Sequence, residues 1–250
     1  MGFWPVTKKV LKDADIVLLI LDVRMPELSR NSELERKGDL YDKKLVYVFN
    51  KIDLVSLKYL NFIKDKYPDA FYVSGTNNIG INELRRDLLI MAKRMKVKEP
   101  KIGVVGYPNV GKSAIINALA KRARAKVAAY AGTTRGIQWI RAGSLLVLDS
   151  PGVVPYQDSG LMLGVLGAKN IEKIGNVERV AFEIIKMFLN YDKSVFENCY
   201  GIVISDIEDF GLILEDIGRK KGFLLKGGIV DERRAALAVI HDWHKGKLRL

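Results

Sequence analysis

Residues 101–113, KIGVVGYPNVGKS, place an apolar strand directly before a glycine-bounded loop. The apolar and β-branched residues 101–105 predict a short buried strand, and the alanine-rich sequence after Ser113 predicts a helix. Between them, Gly106 to Ser113 match GxxxxGK[ST], the pattern of phosphate-binding loops, in the strand–loop–helix context that the pattern needs. Both glycines permit backbone angles that turn N–H groups toward phosphate oxygens. The stretch therefore predicts a nucleotide-phosphate site rather than a glycine turn that binds nothing.

The polar groups of this phosphate loop have predicted roles. Lys112 reaches the β- and γ-phosphates, and the Ser113 hydroxyl holds Mg²⁺. The N–H groups around Val110 and Gly111 surround the phosphates, and the start of the following helix adds a partial positive charge.

Other polar strings end neighbouring predicted strands. Strands alternate with helices in the first part of the chain, which predicts an α/β fold with a mostly parallel sheet and helices on both faces. Ligands of such sheets bind at the carboxyl ends of the strands. The strings at strand ends are Asn50-Lys51-Ile52-Asp53, Ser74-Gly75-Thr76 and Asp149-Ser150-Pro151-Gly152. We therefore expect them to form one site with the phosphate loop.

The NKID string at residues 50–53 has the chemistry to select guanine. Asp53 can accept hydrogen bonds from N1–H and from the 2-amino group, which adenine does not present. Asn50 can approach the O6/N7 edge, the stem of Lys51 can lie over the base, and the N–H groups of residues 74–76 can donate to O6. By itself the string is weak evidence, because Asp53 could equally cap a helix after an ordinary strand.

A second set of candidate residues is predicted around the γ-phosphate. The polar stretch 131–135, AGTTR, suits a loop that closes over Mg²⁺ and the γ-phosphate. Asp149 can hold a magnesium-bound water, and the N–H of Gly152 can contact the γ-phosphate. Taken alone, the DSPG string would be more simply a Pro-Gly turn.

The net charge of +12 is concentrated near the phosphate loop. Lys and Arg outnumber Asp and Glu by 9 to 2 in residues 101–170, against 19 to 14 in residues 1–100 and 13 to 13 in residues 171–250. The basic cluster consists of Lys121, Arg122, Arg124, Lys126, Arg135 and Arg141. Such a cluster suits a polyanion such as RNA, and a solvated basic face explains it equally well.

Composition limits the class of protein. A hydrophobic content of 48% and a charged content of 28% are typical of soluble globular proteins. The longest strongly apolar run, residues 16–21, is too short to span a bilayer, and no signal peptide precedes it. The single Cys199 excludes an internal disulfide and fits a reducing cytoplasm. We expect a cytoplasmic monomer with no membrane or DNA partner.

The last part of the chain is predicted to be helical. Apolar spacing and caps predict helices over residues 161–175, 176–190 and 231–245. With a boundary near residue 170, these predictions give a nucleotide-binding domain over residues 1–170 and a small helical domain over residues 171–250. Basic segments of the second domain could contact an RNA backbone or could be solvated surface.

Together the motifs resemble those of translation-factor-class GTPases in rotated order. Here the NKID and SGT strings precede the phosphate loop, TTR and DSPG, whereas ordinary members start with the phosphate loop. This rotation is the mark of the circularly permuted GTPases, and the site survives it because every motif stays at the same sheet edge. Residues 22–31, DVRMPELSRN, and residues 226–250 are similar to segments of the ribosome-biogenesis GTPase A family, also called YlqF, and its archaeal and nucleolar relatives.

The resemblance implies a GTPase that binds GTP and GDP and acts in assembly of the large ribosomal subunit, in contact with rRNA. It implies that Mg²⁺ is held by Ser113, Thr134 and Asp149. Lys112 and Thr134 would contribute to catalysis, together with Asn109, which occupies the position where related GTPases carry a potassium-coordinating asparagine beside the nucleotide. We therefore expect potassium to stimulate a reaction that is slow in the isolated protein.

Three positions depart from the patterns of related proteins. Residues 4–7, WPVT, lack the histidine that members often carry near the start, and Val153 stands where many GTPases carry a water-positioning glutamine. At Ala114, where many GTPases have Ser or Thr, only the backbone can contact the α-phosphate. The group that positions the attacking water is therefore not assigned.

Other functions remain open at this point. The chain could be a GTPase that acts on the small subunit or in another RNA process, or an RNA-binding scaffold with a weakly active nucleotide site. An ATP-using phosphate-loop protein is a further alternative. Asn50 and Asp53 at a strand end argue against ATP, and the intact phosphate-loop residues argue against a scaffold.

Overall fold

The computed structural model describes residues 4–43, 45–122, 129–131, 138–149, 152, 160–171 and 174–250. The chain divides into two units, Met1–Tyr156 and Gln157–Leu250.

The first unit alternates strands and helices. Its strands are β1 (Ile16–Asp22), β2 (Leu45–Asn50), β3 (Phe71–Tyr72), β4 (Lys101–Val105), β5 (Ala129–Ala131), β6 (Gln138–Ala142) and β7 (Leu145–Asp149). Its helices are α1 (Trp4–Asp13), α2 (Pro26–Ser29), α3 (Ser32–Leu40), α4 (Leu57–Lys66), α5 (Ile81–Arg94) and α6 (Lys112–Arg122), and a short 3₁₀ turn covers Ile52–Leu54.

The described strands form one sheet in the order β3-β2-β1-β4-β7-β6-β5. The first five strands in this order are mutually parallel, whereas β6 runs antiparallel to β7 and β5 antiparallel to β6. This confirms the mostly parallel sheet that the sequence predicts. The strand before the phosphate loop, β4, is fourth in the chain and central in the sheet.

Strand β1 is buried along its whole length, as expected for a strand inside a parallel sheet. Its alternate residues Val17, Leu19 and Leu21 pack in one apolar core with residues of α1, α3 and α4. A side chain at Gly103 in β4 would come 2.8 Å from Val10 and 2.9 Å from Ala14, so glycine allows α1 to approach the sheet closely.

The second unit is helical, as predicted. Its helices are α7 (Gly160–Val165), α8 (Val177–Tyr191), α9 (Lys193–Tyr200), α10 (Phe210–Lys221) and α11 (Glu232–His244). The apolar residues that recur at helical spacing in the predicted helix 176–190 are the buried face of α8, at positions 177, 180, 181, 184, 185 and 188. The indole N–H of the fully buried Trp243 in α11 donates to the carbonyl of Val165 in α7 at 3.1 Å.

Two predictions about this unit need correction. The helix predicted over 161–175 ends at Val165, because Gly167 adopts a φ of 68° and its N–H turns back to the carbonyl of Gly164. Helix α7 also packs against α8, so the boundary between the two units falls at Tyr156 and not at residue 170. Within the described ranges, no helix is long and apolar enough to cross a membrane.

Candidate functional site

The strand pairing of the first unit brings the predicted site strings to one edge of the sheet. Strand β1 lies between β2 and β4, with Asp22 opposite Asn50 and Leu19 opposite Val105. On the other side of β4, Val104 is opposite Asp149, the last residue of β7. Because these strands are parallel, their carboxyl ends and the loops that follow them share this edge.

The phosphate loop has a backbone that only glycine allows at two positions. Gly106 has a φ of 146°, and an added Cβ would lie 2.5 Å from the carbonyl oxygen of Ile20. Gly111 has a φ of 96°, and an added Cβ would lie 2.1 Å from the amide nitrogen of Asn50. Asn109 is left-handed as well, with a φ of 62°, a conformation that asparagine tolerates better than most residues.

Lys112 lies folded over its own loop. Its side chain is buried, and its ammonium group donates to the carbonyl of Tyr107 at 2.7 Å and to that of Gly106 at 3.2 Å. The charge is therefore held at the loop that would enclose the phosphates, which is where a phosphate-loop lysine acts.

Asn50 has a bracing role that was not predicted from the sequence. This buried side chain donates through Nδ2 to the carbonyl of Val110 at 2.8 Å, and its Oδ1 accepts from the N–H of Gly75 at 2.9 Å. One amide thus joins the NKID string to the phosphate loop and to the SGT string. An amide nitrogen carries two hydrogens, so this bracing is compatible with the predicted contact to the O6/N7 edge of guanine.

The SGT string packs directly onto the start of α6. A side chain at Gly75 would come 2.9 Å from the backbone nitrogen of Ile115 and 3.1 Å from the Cβ of Ala114. Ser74 is buried, and its hydroxyl accepts from the N–H of Asn77 at 3.1 Å, whereas Thr76 is exposed. The absence of a side chain at Gly75 and the small side chain of Ala114 allow the SGT string to approach α6 closely.

Lys51 is held by a buried carboxylate. Its backbone is left-handed, with a φ of 67°, and its ammonium lies 2.8 Å from Oδ2 of Asp22, which also pairs with Arg24 at 2.8 Å. Burial alone would raise the pKa of Asp22, but the charges of Arg24 and Lys51 outweigh it and lower this pKa to about 2. Burial lowers the pKa of Lys51 against the attraction of Asp22. No site role was predicted for Asp22 or Arg24, although both belong to the segment DVRMPELSRN.

Asp53 sits within the 3₁₀ turn that follows Lys51. Its side chain is partly exposed, and the turn is fixed to the residue after β3, because the N–H of Ile52 donates to the carbonyl of Val73 at 3.3 Å. The carboxylate is therefore accessible to a ligand beside the other loops of this edge.

Of the three predicted Mg²⁺ ligands, the structure describes only the side chain of Ser113, whose hydroxyl is the kind of hard oxygen ligand that Mg²⁺ prefers. Ser113 is exposed in the first turn of α6, and the backbone of Asp149 ends the strand next to β4. Gly152 lies against the phosphate loop, where an added Cβ would come 2.6 Å from the backbone nitrogen of Pro108. Thr134 and Val153 lie outside the described residues.

Comparison with known proteins agrees with this geometry. A family model described as "50S ribosome-binding GTPase" matches residues 101–198. An uncharacterized GTP-binding protein of Methanocaldococcus jannaschii is 38% identical over 245 residues, which are 97% of this chain and 65% of that protein. The GTPase grn1 of Schizosaccharomyces pombe is 32% identical over 284 residues, covering 96% of this chain and 59% of that protein. The chain thus spans less than two thirds of the length of these relatives.

Solved structures match over nearly the whole chain. GDP-bound YlqF from T. maritima superimposes with a TM-score of 0.62 and 25% identity, covering 97% of this chain and 95% of that one. The GNP-bound form gives the same TM-score at 23% identity, covering 98% and 94%.

The fold and the site define a class of protein, the phosphate-loop GTPases with circularly permuted motifs. The guanine-type strings precede the phosphate loop in the chain, yet they meet it at one sheet edge through Asn50. Within that class, the chain belongs to the YlqF-like family.

The close approach of Gly111 to Asn50 makes a first prediction. We expect Gly111→Ala to weaken GDP binding by about 100-fold or more, since backbone strain and a broken buried hydrogen bond each cost roughly 1–3 kcal/mol. Gly227→Ala is the matched control, because Gly227 has a similar φ of 87° and nothing lies within 4 Å of its added Cβ. Calorimetric titration with GDP measures both variants. Equal weakening in both, or in neither, would contradict the steric account.

The accessible carboxylate of Asp53 makes a second prediction. Asp53→Asn should lower affinity for GDP by about 2–4 kcal/mol and favour xanthosine diphosphate, because an amide can donate to the 2-oxo group that a carboxylate repels. The exposed Asp69→Asn serves as control. Unchanged GDP affinity in the Asp53 variant would refute the assignment.

Proposed function

We propose that this protein binds GTP and GDP, hydrolyses GTP, and uses this cycle in assembly of the large ribosomal subunit. The observation that supports the nucleotide part is the hydrogen bonding of Asn50, which joins the NKID string, proposed to recognise guanine, to the loop proposed to bind the phosphates. The ribosomal part is supported by the description of the family model and by relatives named nucleolar GTP-binding protein 2.

In this proposal, different residues of the site bind the base, the phosphates and Mg²⁺. Asp53 and residues 74–76 recognise the base, and Lys51 covers it. The N–H groups of the phosphate loop and the Lys112 ammonium surround the β- and γ-phosphates, so that they offset charge that develops during transfer. In this proposal Ser113, Thr134 and Asp149 hold Mg²⁺, which neutralises phosphate charge when bound.

GTP with Mg²⁺ would order the loop that contains Thr134 and favour a ribosome-binding state. Loss of the γ-phosphate would release that loop and lower the affinity for the ribosome. We place this cycle where ribosomal subunits are built, which is the cytoplasm in a cell without a nucleus and the nucleolus in a cell with one. The alternative partner is the small subunit or another RNA.

The charge pattern supports the basic cluster as the proposed rRNA contact. Lys121 of the basic cluster is exposed at the end of α6. Arg141 is paired with Glu99 at 3.0 Å, so its guanidinium is less available to contact a phosphate. The side chains of Arg122, Arg124, Lys126 and Arg135 lie outside the described residues.

A sedimentation experiment tests the ribosomal partner. We expect the protein bound to a non-hydrolysable GTP analogue to sediment with large subunits as a monomer, and not with small subunits or DNA. Replacing Lys121, Arg122 and Arg124 by glutamine should reduce binding and flatten its salt dependence by roughly one logarithmic unit for each phosphate that the variant no longer neutralises. Replacing the exposed Lys8, Lys9 and Lys12 removes the same charge and should have little effect. Preference for small subunits, or equal weakening in both triple variants, would contradict the assignment.

Asn109 generates a prediction about hydrolysis. We expect GTP turnover to be slow alone, faster with large subunits, and about 100-fold faster in potassium than in sodium chloride of equal ionic strength, since one well-placed electrostatic group near the reacting phosphate has an effect of this order. Asn109→Ala should abolish the difference between the salts. Asn78→Ala is the matched control, because Asn78 has a similar left-handed φ of 57°. Equal phosphate release in both salts, with ribosomes present, would remove the cation from the mechanism.

A further inference from the structure

The segment DVRMPELS, residues 22–29, contains no nucleotide-binding motif and yet lies beside the candidate base site. Its first residue, Asp22, ends β1 directly opposite Asn50 of β2. The N–H of Val23 donates to the carbonyl of Asn50 at 3.0 Å, so the segment is fixed to the start of the NKID string.

The carboxylate of Asp22 is held in one orientation. Arg24 approaches it as a fork, with Nε 3.0 Å from Oδ1 and Nη2 2.8 Å from Oδ2, and the N–H of Arg24 donates to Oδ1 at 3.1 Å. The N–H of Asp22 donates to the hydroxyl of Ser29 at 3.1 Å. Asp22, Arg24 and Ser29 are all buried, so solvent does not compete for these contacts.

The carboxylate holds Lys51 at its far end. The Lys51 ammonium lies 2.8 Å from Oδ2 of Asp22, and only 21% of the Lys51 side chain is exposed. At its near end, the left-handed backbone with a φ of 67° fixes the direction in which the side chain leaves the chain. A lysine stem that is fixed at both ends is restricted to one conformation. A free stem would lose conformational entropy when a ligand binds, which would weaken binding.

The pairing of Lys51 is not explained by stability alone. Two cations share the buried carboxylate of Asp22, and a buried ion pair is weak evidence for stability. Lys51 stands between Asn50, which braces the loops, and Asp53, which is accessible to a base. The fixed stem is therefore placed at the wall of the base site.

We propose that Asp22 is a positioning residue for this base site: it fixes Lys51 so that the lysine stem forms a preformed wall for guanine, and Arg24 and Ser29 hold Asp22 in place. The proposal rests on the proposed guanine-nucleotide binding and is independent of the ribosomal partner. It gives the segment DVRMPELS a function in nucleotide affinity.

A double-mutant cycle tests the proposal with GDP as the probe and calorimetry as the readout. Asp22→Asn and Lys51→Met should each weaken GDP binding about 10- to 100-fold, the loss expected when a hydrogen bond to a charged group is removed. The double variant should match Lys51→Met within about threefold, because Asp22 acts through Lys51. A purely structural Asp22 would instead give losses that multiply.

If the Asp22→Asn variant does not fold, the Asp22→Glu variant takes its place in the experiment. It keeps the negative charge between Arg24 and Lys51 but moves the carboxylate by one methylene, so it should weaken GDP binding in the wild-type background and have no effect in the Lys51→Met background. Arg30→Gln is the control, since it breaks a more exposed pair of similar length, with Glu35 at 2.9 Å, in the neighbouring chain segment. It should leave GDP affinity unchanged.

The outcomes distinguish the positioning role of Asp22 from a purely structural role, and both from a failure of the proposed nucleotide binding. Losses that vanish in the Lys51→Met background support the positioning role. Unchanged affinity in the Asp22 variants, or losses that persist fully in that background, overturn it while GDP binding by the wild type stands. A wild-type protein that does not bind GDP overturns the proposed nucleotide function as well.

Discussion

The side-chain amide of Asn50 is the interaction on which the candidate site depends. It accepts from Gly75 at 2.9 Å and donates to Val110 at 2.8 Å, so it ties the base-reading loops to the phosphate loop within the protein itself. The amide is buried, and a buried amide without these partners would carry the full desolvation penalty of its polar groups. Glycine is required at Gly111 because an added Cβ would meet this amide, and at Gly75, which donates to the amide, because an added Cβ would meet the start of α6.

Sheet order explains why rotation of the motifs along the chain leaves this interaction intact. Strands β2, β1, β4 and β7 are neighbours and parallel, so their carboxyl ends meet whichever of them comes first in sequence. In this chain the base-reading strings come first, and β1 completes the centre of the sheet between them and the phosphate-loop strand. The buried group of Asp22, Arg24 and Lys51 lies at the same edge and joins β1 to the site.

Local sequence patterns were sufficient for the parts of the fold that depend on local physics. The apolar run of residues 101–105 predicted β4, the apolar spacing over residues 176–190 predicted α8, and the glycines bounding the phosphate loop predicted its backbone. Interactions between distant residues were not predictable in this way. The bracing by Asn50 and the pairing of Lys51 with Asp22 require knowledge of which strands are neighbours. The end of α7 was missed because Gly167 has no side chain to interrupt an apolar pattern, and its positive φ appears only in the structure.

Hydrogen exchange of the nucleotide-free protein tests the bracing by Asn50 most directly. In Asn50→Ala, we predict that peptides covering residues 74–79 and 106–115 lose protection together, by about tenfold or more, because one hydrogen-bonded group secures both loops. Asn31→Ala removes another buried asparagine, which caps α3 through the N–H of Leu34 at 3.0 Å, and should leave both loops unchanged. Faster exchange in residues 74–79 alone, with the phosphate loop as protected as in the wild type, would contradict the account.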